Sequence, residues 1–336
     1  MKKTLIALAV VAVSGAAFAQ SSVTLSGTVE TGLEKRWSGD EMRMTSNRNG
    51  TSNWTLSATE DLGSGLKAVF QVSTSFNPDD GTAGGLSTGT TGTALGNNGM
   101  FVGVTGGFGT LRAGRPVNTL YGNAMFANGT KGISSHDSNS VLAGLVANAG
   151  NTVYVNNAVQ YHSPVMSGFQ VQVEYAPSEL ANADAGMGLA VRYAAGPLAV
   201  SYTNYTGAGT ATVLKPEAVN QLAASYDFGM ARAFLTYRVQ GKAGTITSAN
   251  DTGYALGVTA PVGPGSLYAS YNVREQAGTD GRTVIAGYKY NFSKRTQAFV
   301  NVANRNAAWA SAAVTAAGGN GTKSSNGYGF GLQHNF

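Results

Sequence analysis

Residues 169–175 read Phe-Gln-Val-Gln-Val-Glu-Tyr, with four apolar side chains on one parity and three polar ones on the other. The same period of two recurs along the chain. Trp54, Leu56 and Ala58 oppose Asn53, Thr55, Ser57 and Thr59. Leu267, Ala269, Tyr271 and Val273 oppose Tyr268, Ser270, Asn272 and Arg274. Ala298, Val300 and Val302 oppose Gln297, Asn301 and Arg305, with Phe299 breaking the pattern. Successive side chains of a strand point to opposite faces, so this alternation predicts strands with one apolar and one wet face.

The pattern predicts sixteen strands, near 22–37, 52–62, 66–77, 99–106, 110–116, 156–163, 169–177, 187–195, 198–206, 217–228, 231–241, 252–261, 266–276, 282–292, 295–306 and 325–336. Many run to about ten residues, the length a tilted strand needs to cross a bilayer. Short glycine-rich turns, such as Leu62-Gly63-Ser64-Gly65 and Ala195-Gly196-Pro197, alternate with long polar stretches at 77–98, 117–155 and 306–324. Short turns on one rim and long loops on the other are the pattern of a transmembrane barrel. The predicted fold class is therefore all-β: a closed antiparallel barrel of about 16 strands, with short periplasmic turns and long external loops. Closure removes sheet edges and pairs every backbone polar group inside lipid. Sixteen strands also leave a lumen too wide for side chains to fill.

Composition agrees. Charged residues make up 12% of the 336, about half the roughly 25% usual in soluble domains. Hydrophobic residues reach 43% without any apolar run after residue 20 long enough for a membrane helix. There is no cysteine, which removes disulfides, zinc–thiolate sites and thiol nucleophiles. The net charge of +5 comes from scattered basic residues with no run longer than two, so no nucleic-acid partner is expected.

The first twenty residues, MKKTLIALAVVAVSGAAFAQ, have Lys2 and Lys3, an apolar core over 5–13 and a small-x-small site at Ala17-Phe18-Ala19. They are read as a signal peptide over 1–19, leaving 20–336 as one barrel domain.

The more apolar parity of each strand is assigned to lipid. Lys67, Arg112, Arg192, Arg232, Arg238, Arg274, Arg295 and Arg305 then fall on the lumen side, with Glu30, Glu34 and Glu174. Charge in lipid is costly, and a basic wall concentrates anions. Charges at the rims could instead solvate loops or bind lipopolysaccharide phosphates. Tyr175, Tyr193, Tyr202, Tyr226, Tyr237, Tyr271, Tyr288, Tyr290 and Phe292 form a candidate aromatic girdle.

The chain ends with Tyr328, Phe330, Leu332 and Phe336 on one parity. With Ser22-Val23-Thr24-Leu25-Ser26-Gly27, the stretches 60–68, 109–115 and 157–164, and Gly168-Phe169, this resembles the Gram-negative trimeric porins of the neisserial and Burkholderiales type. The resemblance implies a homotrimer, a third external loop folded into the pore, here Val117–Val155, and a ladder of basic residues facing it. It implies no cofactor and no metal. Its expected partners are outer-membrane lipids and lipopolysaccharide, the barrel assembly machinery that reads Phe336, and small ions and solutes.

Arg115 matches a family pore arginine and is the expected constriction residue, with Arg112 and Lys67 behind it. Arg192, Arg232, Arg274, Glu30 and, in the loop, Asp137 complete the expected lining. The chain departs from the family at Asn53, where Arg is usual, and at Ser57, often Lys. Tyr154 and Val155 stand where an Arg usually precedes the Asn157 stretch, and the end is His334-Asn335-Phe336 rather than His-Arg-Phe. The implied function is a general diffusion pore with a softened anion preference. A substrate-specific channel is the nearer rival; an enzyme or adhesin is further off. His136, His162 and His334 sit in no catalytic motif.

Overall fold

The computed structural model describes residues 21–35, 41–46, 48–83, 95–127, 153–209, 217–241, 251–276, 279–306 and 325–336. The expected signal peptide at 1–19, Asp137 and most of the stretch 117–155 lie outside them. The strands begin with β1 (Ser22–Lys35), β2 (Arg43–Ser46), β3 (Asn53–Gly63), β4 (Leu66–Ser75), β5 (Met100–Gly106) and β6 (Gly109–Arg115). A helix, α1 (Thr119–Ala127), follows. Then come β7 (Ala158–His162), β8 (Phe169–Ala176), β9 (Gly186–Ala195), β10 (Leu198–Thr206), β11 (Val219–Asp227) and β12 (Arg232–Gln240). The last are β13 (Asp251–Val262), β14 (Gly265–Gln276), β15 (Thr279–Asn291), β16 (Thr296–Arg305) and β17 (Ser325–Asn335).

Every neighbouring pair is antiparallel, and β1 pairs with β17, so the sheet closes on itself. β2 and β3 both pair with β1 and together make one wall strand, giving a barrel of sixteen with one strand interrupted. At the usual strand spacing and tilt, sixteen strands close to a diameter of about 30 Å. All sixteen expected strands are present. The extra piece is β2, four residues that alternation alone is too short to reveal.

Burial is reversed relative to a soluble protein. Val23 is 68% exposed, and Leu25, Val102 and Leu332 also face outward, whereas Arg238, Gln160 and Gln221 are each 1% exposed. A sheet with its apolar face outside and its polar face inside is stable only when lipid covers the outside. Aromatic rings gather at the short-turn rim as contacting pairs: Phe169 with Tyr193 (4.6 Å), Tyr226 with Phe228 (4.7 Å), and Tyr290 with Phe292 (5.0 Å). Amphipathic rings favour the headgroup layer, which fixes the barrel's depth.

The ends of the chain meet at closure. Gly27 N donates to Phe336 O (3.1 Å) and Phe336 N to Gly27 O (3.0 Å). A Cβ on Gly27 would lie 2.4 Å from Asn53 O and 2.4 Å from Phe336 Cζ. One contact is backbone, so the clash cannot be relieved by a side-chain rotation alone. Gly27→Val is expected to destabilise the closure by about 1–3 kcal/mol, as overpacking typically does. Unheated samples on a denaturing gel should then show less of the compact folded form than wild type.

Candidate pore constriction

Among the described residues the barrel wall offers two surfaces for chemistry: the outside, which is apolar, and the lumen. The lumen is entered from the external side by the chain after β6. Proline at 116 cannot extend the ladder, and Asn118 then caps a helix, its Oδ1 accepting from Tyr121 N (2.6 Å). The helix α1 packs on the lumen faces of β8 to β12.

Its anchors are polar groups of the wall. Glu174 Oε2 accepts from Thr119 N and from Thr119 Oγ1, both at 2.8 Å. A carboxylate at this end also meets the positive pole of the helix. Gln221 Nε2 donates to Leu120 O (3.1 Å), and Ser201 Oγ to Asn123 O (3.0 Å). Leu120 packs with Tyr205 and Val219, which alternation alone would leave facing water. These are pore-wall positions made apolar for the helix.

Two arginines lie beside this seat. Arg192 Nε donates to Asn123 Oδ1 (2.6 Å), Arg192 Nη2 to Gly122 O (3.2 Å), and its guanidinium lies 4.7 Å from the Phe126 ring centre. Arg112 donates twice to Gln160 Oε1 (2.8 and 2.6 Å) and stacks on Phe101 at 4.8 Å. Arg192 feels the charge of Arg112, His162 feels both, and Arg112 also feels the carboxylate of Glu174. Their hydrogen-bond partners are all neutral.

The acids are placed differently. Glu174 is taken up by the helix start and by Gln160. Glu34 is shared by Arg43 (2.7 Å) and Arg48 (2.6 Å). Glu30 is fully buried beneath residues 48–52 and does not line the water. Asp61 and Asp227 accept from Gly63 N and Gly229 N in the short turns.

Other expected lining residues take these places. Asn53 and Ser57 face the lumen from β3, in register with Thr28 and Thr24 of β1. Lys67 and Arg232 stand at the periplasmic mouth, the latter bonded to Ser225 Oγ (2.7 Å). Arg274 is a buried lumen-side residue of the external half. Arg295 lies in the turn before β16 and not on its wall.

Arg115 is the main departure. It is three residues from Arg112, so alternation puts the two on opposite faces. Its register partner is Met100, in the outward row with Val102. Arg115 Nε donates to Asn156 Oδ1 (2.8 Å), Nη1 donates to Asn97 O (2.8 Å), and the guanidinium lies 5.0 Å from the Tyr154 ring. Tyr154 in turn donates to Asn98 Oδ1 (2.6 Å), and burial pushes its phenol up to about 12, so it stays a donor. The pair ties the segment at 95–99 to the return of the long loop. Arg115→Ala should therefore leave the reversal potential nearly at the wild-type value while making the bonds around 95–98 more open to limited proteolysis.

A closed lipid-facing barrel with a helix seated in a polar lumen is the geometry of a diffusion pore. The family described as Gram-negative porin matches over residues 4–308. The chain belongs to that family. The porin is 34% identical over 324 residues to outer membrane porin protein 32 of Delftia acidovorans, covering 90% of this chain and 89% of the relative. It is 30% identical to the major outer membrane protein P.IB of Neisseria lactamica, covering 90% and 92%. Among solved structures, the anion-selective porin from Comamonas acidovorans superposes with a TM-score of 0.70 at 24% identity, covering 94% of this chain and all of that one. The trimer form of OmpT from Vibrio cholerae gives 0.68 at 17% identity. The porin is an outer-membrane protein whose lumen forms a water-filled channel for small hydrophilic solutes.

Two features were not legible in the sequence reading: the helix α1 and the strand break before Asn53. Asn118 as an N-cap is the one signal for the first, and it is weak because Gly122 and Asn123 stand in the middle of the helix.

Proposed function

We propose that the porin is a general diffusion channel, not an enzyme, with a modest preference for anions set mainly by Arg112 and Arg192. The observation that carries this is their pairing with neutral partners at the foot of α1, while the nearby acids are bound to the helix or to other arginines. A cation whose partners are neutral keeps its field in the lumen and raises the local anion concentration. The similarity to an anion-selective porin supports the same sign. The missing basic groups at Asn53 and Ser57 support a modest size.

The similarity to a porin in trimer form supports a homotrimer. Phe336 at the closure supports recognition of the terminal strand by the assembly machinery. The exposed aromatic rim supports contact with outer-membrane lipid and lipopolysaccharide. The test is the reversal potential of the purified protein in a planar bilayer under a potassium chloride gradient. The sign should correspond to chloride passing more readily than potassium, and a clear cation preference would overturn the reading.

A further inference from the structure

The second wall strand is interrupted. Between Thr28 and Thr31, β1 offers two residues, Val29 and Glu30. The partner strand spends residues 47–52 on the same interval, between Ser46 and Asn53. The surplus has to leave the sheet on one side. It leaves on the lumen side, where Glu30 and Glu34 of β1, Thr45 of β2 and Gln333 of β17 hold it, and it returns to the sheet at Ser52, whose O accepts from Phe76 N (3.0 Å). Glu30 Oε2 accepts from Arg48 N and from Asn49 N (3.2 Å). Ser52 Oγ bonds the backbone of Glu30 on both sides, accepting at 3.0 Å and donating at 3.2 Å. Asn49 Nδ2 donates to Gln333 Oε1, and a Cβ on Gly50 would lie 2.9 Å from Gln333 Nε2. A backbone layer thus lies over the inner face of the wall, fixed by a carboxylate that is itself fully buried.

Its position is what gives it a role. The helix α1 contacts β10 more than any other strand. Counting β2 and β3 as one strand, β10 is eight strands from β1 in either direction around the ring. The folded segment and the helix therefore face each other across the diameter. Both sit on mid-strand residues, Glu30 of β1 and Ser201 of β10.

We infer that residues 48–52 are a second constriction element, which narrows the pore from the wall opposite α1 and sets its size limit together with the helix. The element acts by bulk and not by charge. It brings Arg48, whose guanidinium shares Glu34 with Arg43 and lies within reach of the charge on Glu30. A size filter and a charge filter are then separate: the first between 48–52 and α1, the second at Arg112 and Arg192. The inference rests on the channel reading above.

Deleting Arg48–Thr51 leaves Asn47 and Ser52, two residues opposite two, so the strand can run through. The folded variant is expected to show single-channel conductance raised by roughly 1.5-fold and a higher exclusion limit for uncharged polyethylene glycols, with the sign of selectivity kept. Unchanged conductance and exclusion limit in a folded barrel would overturn the inference, while wild-type conduction would leave the channel reading standing. If the deletion fails to fold, Arg48→Cys answers the same question, since the protein has no cysteine of its own. A bulky thiosulfonate reagent added to the open variant channel should lower its current stepwise and leave wild type unaffected. Complete labelling by mass with no loss of current would overturn the inference.

Discussion

Glu174→Ala is expected to raise the conductance of the porin and make the open current noisy. The carboxylate accepts from Thr119 N and Oγ1 and from Gln160 Nε2, and all of these are buried. Hydrogen bonds to a charged group contribute about 1.5–3 kcal/mol each, and the donors left behind carry a desolvation cost. Alanine also removes the negative charge from the positive end of α1. The remaining polar anchors are the neutral bonds of Gln221 on Leu120 O and Ser201 on Asn123 O, about 1 kcal/mol each, and the Arg192 bonds to Asn123 Oδ1 and Gly122 O. The helix then spends part of its time off the wall, and the open cross-section grows. Glu174→Gln keeps an acceptor and should give a smaller rise. Bilayer recordings with both variants order the effects; equal conductance in all three proteins would show that Glu174 does not hold the helix.

The largest change in selectivity should come from Arg112→Glu combined with Arg192→Glu. Two positive groups become two negative ones on the lumen wall beside α1. The preference is expected to change from anion to cation in about 0.1 M salt, where the screening length is about 10 Å, and to shrink in about 1 M salt, where it is about 3 Å. Arg192 also holds Asn123 of α1, so Arg192→Gln with Arg112→Gln serves as the control that removes charge with less loss of hydrogen bonding. That control should move the reversal potential toward zero without crossing it. A double-glutamate variant that stays anion-preferring would place the filter elsewhere on the wall.

The contrast between Arg112 and Arg115 shows where sequence reading succeeds and where it stops. Period-two alternation put Arg112, Gln172 and Glu174 on the polar parity of their strands, and the register of β6, β7 and β8 brings Gln160 into line with Arg112 and Glu174. The same rule, applied strictly, sends Arg115 to the other face. The family resemblance had suggested the pore, but the residue ties two external segments together instead. Alternation puts Glu30 and Glu174 on the lumen parity. Their burial was not legible, because it comes from chain that returns from elsewhere: residues 48–52 over one and α1 over the other.

The order of apolar and polar residues by itself determined that this chain is a lipid-facing barrel of sixteen strands, because every strand carries its own inside and outside in a local period of two. It also determined the rims, through turn length and glycine placement, and the basic bias of the wall. Tertiary structure alone decided how wide the pore is and which charges are exposed in it. Those depend on where α1 and the surplus of the second strand come to rest, eight strands apart, and on which wall carboxylates hold them there. Such contacts join residues far apart in the chain, such as Asn49 with Gln333 and Leu120 with Gln221, and no local period encodes them.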